Sequence, residues 1–198
     1  MTPVVRAIDI GFGNTKYVAA AVGEKIDCAH FPSLAFHSTR DKSNDLIGGR
    51  RRTVAIPLDD MFYEVGPDVE LAANRFRARQ LHDNYVDTRE YRALARGALH
   101  YMKQETIDLL VVGLPVAQFL GRRGELERAS TGEFDVGRKR KVTVKRTLVP
   151  AFGAKSLNSM PVANSTHGNT RNSASGRPLC SDWVSSLNDR SPAFNRPI

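Results

Sequence analysis

The chain has little cysteine: among its 198 residues only Cys28 and Cys180 occur. This pair fits neither a metal-ligand spacing nor the disulfide framework of a small secreted domain. We therefore expect a reducing, cytoplasmic setting. Long hydrophobic runs are also absent, because the longest, residues 109–117, contains Gly113 and Pro115 and is too short to span a bilayer. No membrane association is expected.

Acidic residues are scarce in the last third of the chain. The net charge is +8, yet residues 1–137 carry 18 bases and 19 acids, whereas residues 138–146 carry six bases and no acid and residues 147–198 carry five bases and two acids. Because the positive charge is local, direct nucleic-acid binding is not expected, and the run Arg138–Lys141 is predicted to be a solvated hairpin. A basic nucleic-acid-binding module stays an alternative that salt-dependent DNA binding would support.

The composition changes near Pro150. Residues 151–198 contain nine Ser, six Asn, four Pro and three Gly, without a sustained apolar period. Such a segment buries too little apolar surface to offset the entropy lost on ordering. The sequence therefore predicts one folded domain over residues 1–149 and a disordered Ser/Asn-rich tail over residues 150–198.

The periodicity of the first 150 residues predicts a mixed α/β unit. The predicted strands are residues 4–10, 15–22, 26–36, 53–56, 61–65, 107–112, 133–136 and 142–148. An amphipathic helix is predicted from Tyr91 to Met102, after a capping box at residues 87–90. A second helix is predicted to begin at Pro115.

The segment from Asp9 to Lys16, with the sequence DIGFGNTK, carries the strongest chemical signal. Asp9 ends a buried strand, where a carboxylate is costly without a partner. Gly11 and Gly13 let backbone amides approach a ligand closely, in a concavity suited to phosphate oxygens. Asp9 is also placed to hold a hydrated Mg²⁺ ion. Further donors follow at Asn14, Thr15 and Lys16.

An ordinary hairpin turn is the alternative interpretation of this segment. Gly11 and Gly13 would then simply supply positive φ angles. The phosphate interpretation is favoured because Asp9 lies inside the apolar strand and Lys16 follows just beyond the turn. The segment is neither a P-loop nor a dinucleotide fingerprint, since its glycines join two strands instead of opening a helix.

The pattern Asp-x-Gly-x-Gly-x-x-Lys between two strands resembles the first phosphate motif of the actin-like ATPases. With three further stretches, it makes the chain similar to bacterial actin-like proteins of plasmid segregation, the ParM/StbA type. Within these it is most similar to the protein D family of the PRTRC gene system. The resemblance covers about residues 4–148. The further stretches are FPS at 31–33, FYEVGPD at 62–68 and DLLVVGLPV at 108–116.

The resemblance implies two lobes, each built on a ribonuclease-H-like sheet, with ATP and Mg²⁺ between them. Residues 1–149 would form the first, N-terminal lobe with a small β insertion. Asp9 would then serve the metal, and full-length relatives assemble into filaments. The implied phosphate-binding residues are Gly11, Gly13, Asn14, Thr15 and Lys16.

After Val149 the sequence shows no second Asp/Gly phosphate motif and no adenosine-pocket motif. We therefore expect a truncated or frame-shifted family member that binds nucleotide weakly and has little or no ATPase activity. No catalytic residue is assigned. A phosphotransferase of the sugar or acetate kinase type is the alternative enzyme class, although no second carboxylate motif is evident.

Limited proteolysis tests the predicted domain boundary. Exposed, weakly packed segments are cut first, so digestion should trim the chain near Pro150. Mass spectrometry of the resistant fragment identifies the cut. A resistant fragment that retains Trp183 would contradict the prediction.

Overall fold

The computed structural model describes residues 2–23, 25–38, 51–72 and 85–152. The strands are β1 (Val5–Ile10), β2 (Asn14–Val22), β3 (Lys25–Pro32), β4 (Phe36–Ser38), β5 (Val54–Leu58), β6 (Met61–Val65), β7 (Thr106–Ile107), β8 (Leu109–Val112), β9 (Leu114–Pro115), β10 (Gly132–Asp135), β11 (Lys141–Val144), β12 (Thr147–Leu148) and β13 (Ala151–Phe152). The α-helices are α1 (Arg89–Met102) and α2 (Val116–Ala129), and the short 3-10 helices are Val69–Ala72 and Tyr85–Asp87.

The main sheet has five strands in the order β12-β8-β1-β2-β3. Strand β1 is antiparallel to β2 and parallel to β8, so the predicted hairpin of residues 4–22 is confirmed. A separate three-stranded sheet, β4-β6-β5, forms the predicted small β insertion. The chain is therefore the mixed α/β unit that its periodicity indicates.

Helix α1 packs against the main sheet through its apolar face, burying Leu94, Ala98 and Met102. Thr88 caps its first turn, because its hydroxyl accepts a hydrogen bond from the Tyr91 N–H at 3.1 Å. The predicted capping box, which begins at Asp87, is thus wrong by one residue. A cap forms where an oxygen reaches a free N–H, and here that oxygen belongs to Thr88.

The predicted strand over residues 107–112 is broken at Asp108. Its carboxylate accepts hydrogen bonds from the Val4 N–H and from the Lys145 ammonium, both at 2.7 Å. The hydrogen bond from Lys145 is the main cause that lowers the pKa of Asp108 below its ordinary value. Ile107 consequently pairs with β11 in a second sheet, while β8 joins the main sheet. The apolar run hides this break, since both partners of Asp108 are distant in sequence.

Several other predicted boundaries also shift. The third strand ends at Pro32, and Phe36 begins a strand of the insertion. Pro115 lies in β9 instead of opening a helix, and the expected last strand divides into β11 and β12, which join different sheets. Strand β13 pairs with β9, so paired structure extends to Phe152, the third residue of the predicted tail. The remainder of that tail lies outside the described residues.

Of the helices that the structure describes, none is both long and apolar enough to cross a membrane.

The basic hairpin between β10 and β11 is tied to its neighbours. Arg138 donates to the Thr53 carbonyl at 2.9 Å, Arg140 donates to the His100 carbonyl at 3.2 Å, and Lys141 pairs with Glu133 at 2.7 Å. Strands β10 and β11 pair in the antiparallel sense, so the predicted hairpin is present.

We predict that Gly137→Ala destabilises the protein, by roughly 1–3 kcal/mol as is usual for overpacking. A Cβ at Gly137 would lie 2.3 Å from the Ala55 carbonyl oxygen, and its φ is 77°. Gly132→Ala is the matched control, because its φ of 126° is also unfavourable for alanine but nothing lies within 4 Å. Chemical denaturation measures both. Equal losses of stability would show that the close contact with β5 is unimportant.

Candidate functional site

The candidate phosphate-binding turn joins β1 to β2 at one end of the main sheet. The Gly11 N–H donates to the Asn14 carbonyl at 3.1 Å and closes the turn. The Ser33 N–H donates to the Gly13 carbonyl at 3.0 Å, so the residue after β3 also holds the turn. The turn is therefore held both by a hydrogen bond within itself and by one from the residue after β3.

Asp9 and Lys16 lie opposite each other in the antiparallel pairing of β1 and β2. Their side chains consequently project from the same face of the sheet. Burial raises the pKa of Asp9, and the positive charge of Lys16 opposes this only in part. The protein thus holds a half-buried carboxylate whose charge is incompletely compensated, and such a group favours a cation beside it.

The two glycines of the turn do not have positive φ angles. The hairpin alternative, in which they supply such angles, is therefore not the conformation observed. A Cβ at Gly11 would lie 3.3 Å from the Asn14 carbonyl oxygen, whereas no atom of the described residues lies within 4 Å of a Cβ at Gly13. The fold therefore gives no steric or conformational reason for glycine at position 13. Open space at that position leaves the backbone accessible to a ligand.

Thr15 differs from the role that the resemblance implies for its side chain. It is fully buried, and its hydroxyl forms a hydrogen bond of 2.9 Å with that of Ser33. Alternation along β2 places Thr15 on the face opposite Lys16. The Thr15 hydroxyl therefore anchors the turn, and the contact of Thr15 with phosphate stays a prediction. Asn14 is exposed and Lys16 is half-buried, so both side chains are reachable.

Other parts of the site were missed by sequence reasoning. Ser33 belongs to the FPS stretch of the resemblance, and that stretch is the signal that could have found it. Phe12, at the tip of the turn, is 52% exposed, and its ring lies 5.7 Å from that of Tyr85. Tyr85 contacts Tyr91 edge to face at 5.6 Å. Aromatic contacts therefore connect the turn to the start of α1.

The described side chains offer few ligands for a metal ion. Within the described ranges, no cluster of three or more His, Cys, Asp or Glu side chains is placed to hold a metal ion. Asp9 at the turn is a single carboxylate. Such a site suits Mg²⁺, which keeps several waters and takes one or two carboxylates together with substrate phosphates.

The class of protein follows from a comparison with known families. Residues 7–151 match the family described as the N-terminal domain of actin-like proteins. The match covers well over half of the chain and includes the whole turn. The chain therefore belongs to the actin-like protein family, through its N-terminal domain. No curated protein sequence matches the chain.

Solved structures share this fold. The AlfA filament bound to AMPPNP has a TM-score of 0.59 and 18% identity, over 76% of this chain and 55% of that one. Apo pSK41 ParM has a TM-score of 0.55 and 16% identity, over 76% of this chain and 50% of that one. A non-polymerisable quadruple mutant of pCBH ParM has a TM-score of 0.55 and 22% identity, over 79% of this chain and 48% of that one. The neighbours confirm the predicted actin-like fold, and the chain matches about half the length of each.

We predict that Asp9→Asn raises the melting temperature at pH 7, by about 2–4 °C. The raised pKa means that folding disfavours the charged carboxylate, and the amide removes this cost. The gain should shrink as the pH falls toward the ordinary carboxyl value of 3.8, where the wild-type side chain is neutral too. Thermal unfolding at several pH values measures this. A lower melting temperature for the variant at pH 7 would show that the Lys16 interaction outweighs burial.

Proposed function

We propose that this chain is a nucleotide-binding lobe of an actin-like ATPase of the plasmid-partition type, which takes ATP with Mg²⁺ at the β1–β2 turn. The observation that carries the proposal is the open space at Gly13, where the fold requires no glycine. The paired Asp9 and Lys16 beside it supply the charges that a metal–triphosphate complex needs. The structurally similar AlfA filament is bound to AMPPNP, which supports the choice of nucleotide.

Each residue of the turn has a distinct role in this proposal. The Asp9 carboxylate orients a hydrated Mg²⁺, which neutralises phosphate charge when bound. Lys16 adds a positive point charge on the same face. Gly11, Gly13 and Asn14 offer the backbone around the phosphate oxygens. The anchor between Thr15 and Ser33 keeps the turn in place before the ligand arrives, which lowers the entropy lost on binding.

Binding, and not turnover, is the activity that we propose for this chain. The described residues contact a triphosphate from one wall only, whereas phosphoryl transfer requires charge stabilisation from several sides. No catalytic residue is assigned. Filament assembly is proposed by analogy with the AlfA filament and with the ParM whose mutant is called non-polymerisable.

The narrower assignments also remain proposals. Membership of the PRTRC protein D family rests on the four sequence stretches. A cytoplasmic setting rests on similarity to plasmid-segregation proteins.

Gly13→Ala provides the sharpest test of the binding site. The variant should fold with unchanged or slightly higher stability, because alanine fits the space and restricts the unfolded chain. It should nevertheless bind Mg·ATP more weakly, by roughly tenfold, as expected when the new methyl group displaces a good hydrogen bond. Gly124→Ala is the matched control, since its Cβ also meets nothing within 4 Å but lies in α2, remote from the turn. Titration calorimetry measures affinity, and an unchanged affinity of Gly13→Ala would contradict backbone contact with the phosphates.

Charge variants separate the metal from the phosphate contacts. Asp9→Ala should remove the Mg²⁺ dependence of ATP binding, and Lys16→Ala should weaken binding with or without Mg²⁺, each by roughly tenfold to a hundredfold. Lys25→Ala, exposed on β3, is the control for net charge. Equal affinity of the wild-type chain for ATP and adenosine would mean that this turn does not recognise phosphate.

A further inference from the structure

A cavity of about 350 Å³ lies between α1 and α2 over the main sheet. Its floor comes from β1 and β8, and its walls come from the two helices. This volume falls within the range of small-molecule sites, about 300–1,000 Å³. The buried apolar residues that line it are Ile8, Leu99, Leu110, Val112 and Leu126.

Tyr91 adds a buried hydroxyl to the residues that line this cavity. It is only 3% exposed, and its hydroxyl has no hydrogen-bond partner in the described part of the chain. Burying a hydroxyl in this way is unfavourable, so an acceptor that reaches it would be stabilised. A largely apolar molecule with one acceptor fits this combination of apolar lining and buried hydroxyl.

The mouth of the cavity is positively charged. Its charged residues are Arg92, Arg96, Arg122, Asp87 and Glu125. Arg122 pairs with Asp87, and Arg96 donates to a carbonyl of β5. Arg92 is exposed and has no ion pair with the residues that the structure describes. A negative group at the mouth would therefore find a cation whose charge is not already neutralised.

We propose that this cavity binds a small apolar carboxylate with a neutral acceptor at its other end. The body fills the cavity, the acceptor takes the hydrogen bond of the Tyr91 hydroxyl, and the carboxylate stays at the mouth beside Arg92. The charge lies at the mouth because burying it unpaired would be far more costly. Ile8 and Asp9 project from opposite faces of β1, so this site is separate from the phosphate-binding turn.

Three matched probes test the proposal on the full chain. These are 4-acetylbenzoate, 4-ethylbenzoate, which lacks the acceptor, and acetophenone, which lacks the carboxylate. Titration followed by NMR should show the first binding more tightly than the second by roughly threefold to tenfold, the effect of one hydrogen bond. 4-Acetylbenzoate should also bind more tightly than acetophenone, by roughly twofold to fivefold, which is the effect of an exposed charge pair. Absence of saturable binding by all three probes would overturn the proposal.

Variants assign the binding to this cavity. Tyr91→Phe should make the acetyl and ethyl probes bind equally, whereas Tyr63→Phe, a buried tyrosine of β6 away from the lining, should leave their ratio unchanged. Ala95→Leu should fill the space and abolish binding of all three probes without changing Mg·ATP affinity. A preference for the acetyl probe that survives Tyr91→Phe, or binding that survives Ala95→Leu, refutes the site. Neither outcome bears on the phosphate-binding turn.

Discussion

Strand β1 is hydrogen bonded along both edges, to β2 in the antiparallel sense and to β8 in the parallel sense. This double pairing determines where its last residues can lie. The Gly113 N–H after β8 donates to the Ile8 carbonyl at 3.0 Å, so the strand is held almost to its end. The position of Asp9 beside Lys16 is therefore fixed by strand pairing, and a cation or phosphate would bind to a preorganised site.

The same strand also separates two environments. Ile8 and Tyr17, paired across β1 and β2, join the large core beneath α1. Ala7, Val18 and Val111 form a smaller cluster, in keeping with the opposite face. The phosphate-binding turn and the α1/α2 cavity are consequently neighbours that do not share a face.

The sequence correctly predicted those secondary-structure elements that depend on residues close together in the chain. The β1–β2 hairpin and α1 follow from apolar periodicity, and both are present where expected. The break in the strand at Asp108 could not be found in this way, because the partners of its carboxylate, Val4 and Lys145, are far from it in the sequence. The position of Thr15 was predictable in principle, since alternation along β2 places it opposite to Lys16. Its partner Ser33 became evident only from the fold.

The location of the unfavourable groups gives the strongest physical argument for function. Asp9 keeps a carboxylate where burial raises its pKa, Tyr91 keeps a buried hydroxyl without a partner, and Gly13 keeps a flexible backbone where the fold needs none. The negative charge of Asp9 also contributes to the raised pKa of Tyr91, after burial itself, so these groups interact. Departures from the rules of stable folding are expected where binding requires them. The buried Nε of Arg6, near the start of β1, also has no partner among the described residues, and nothing in the structure explains it. Among the described residues around Arg6, no other feature indicates a binding site. At the other end of β1, the Asp9 carboxylate, Lys16 and the accessible backbone of Gly13 lie together, and this combination favours a ligand there.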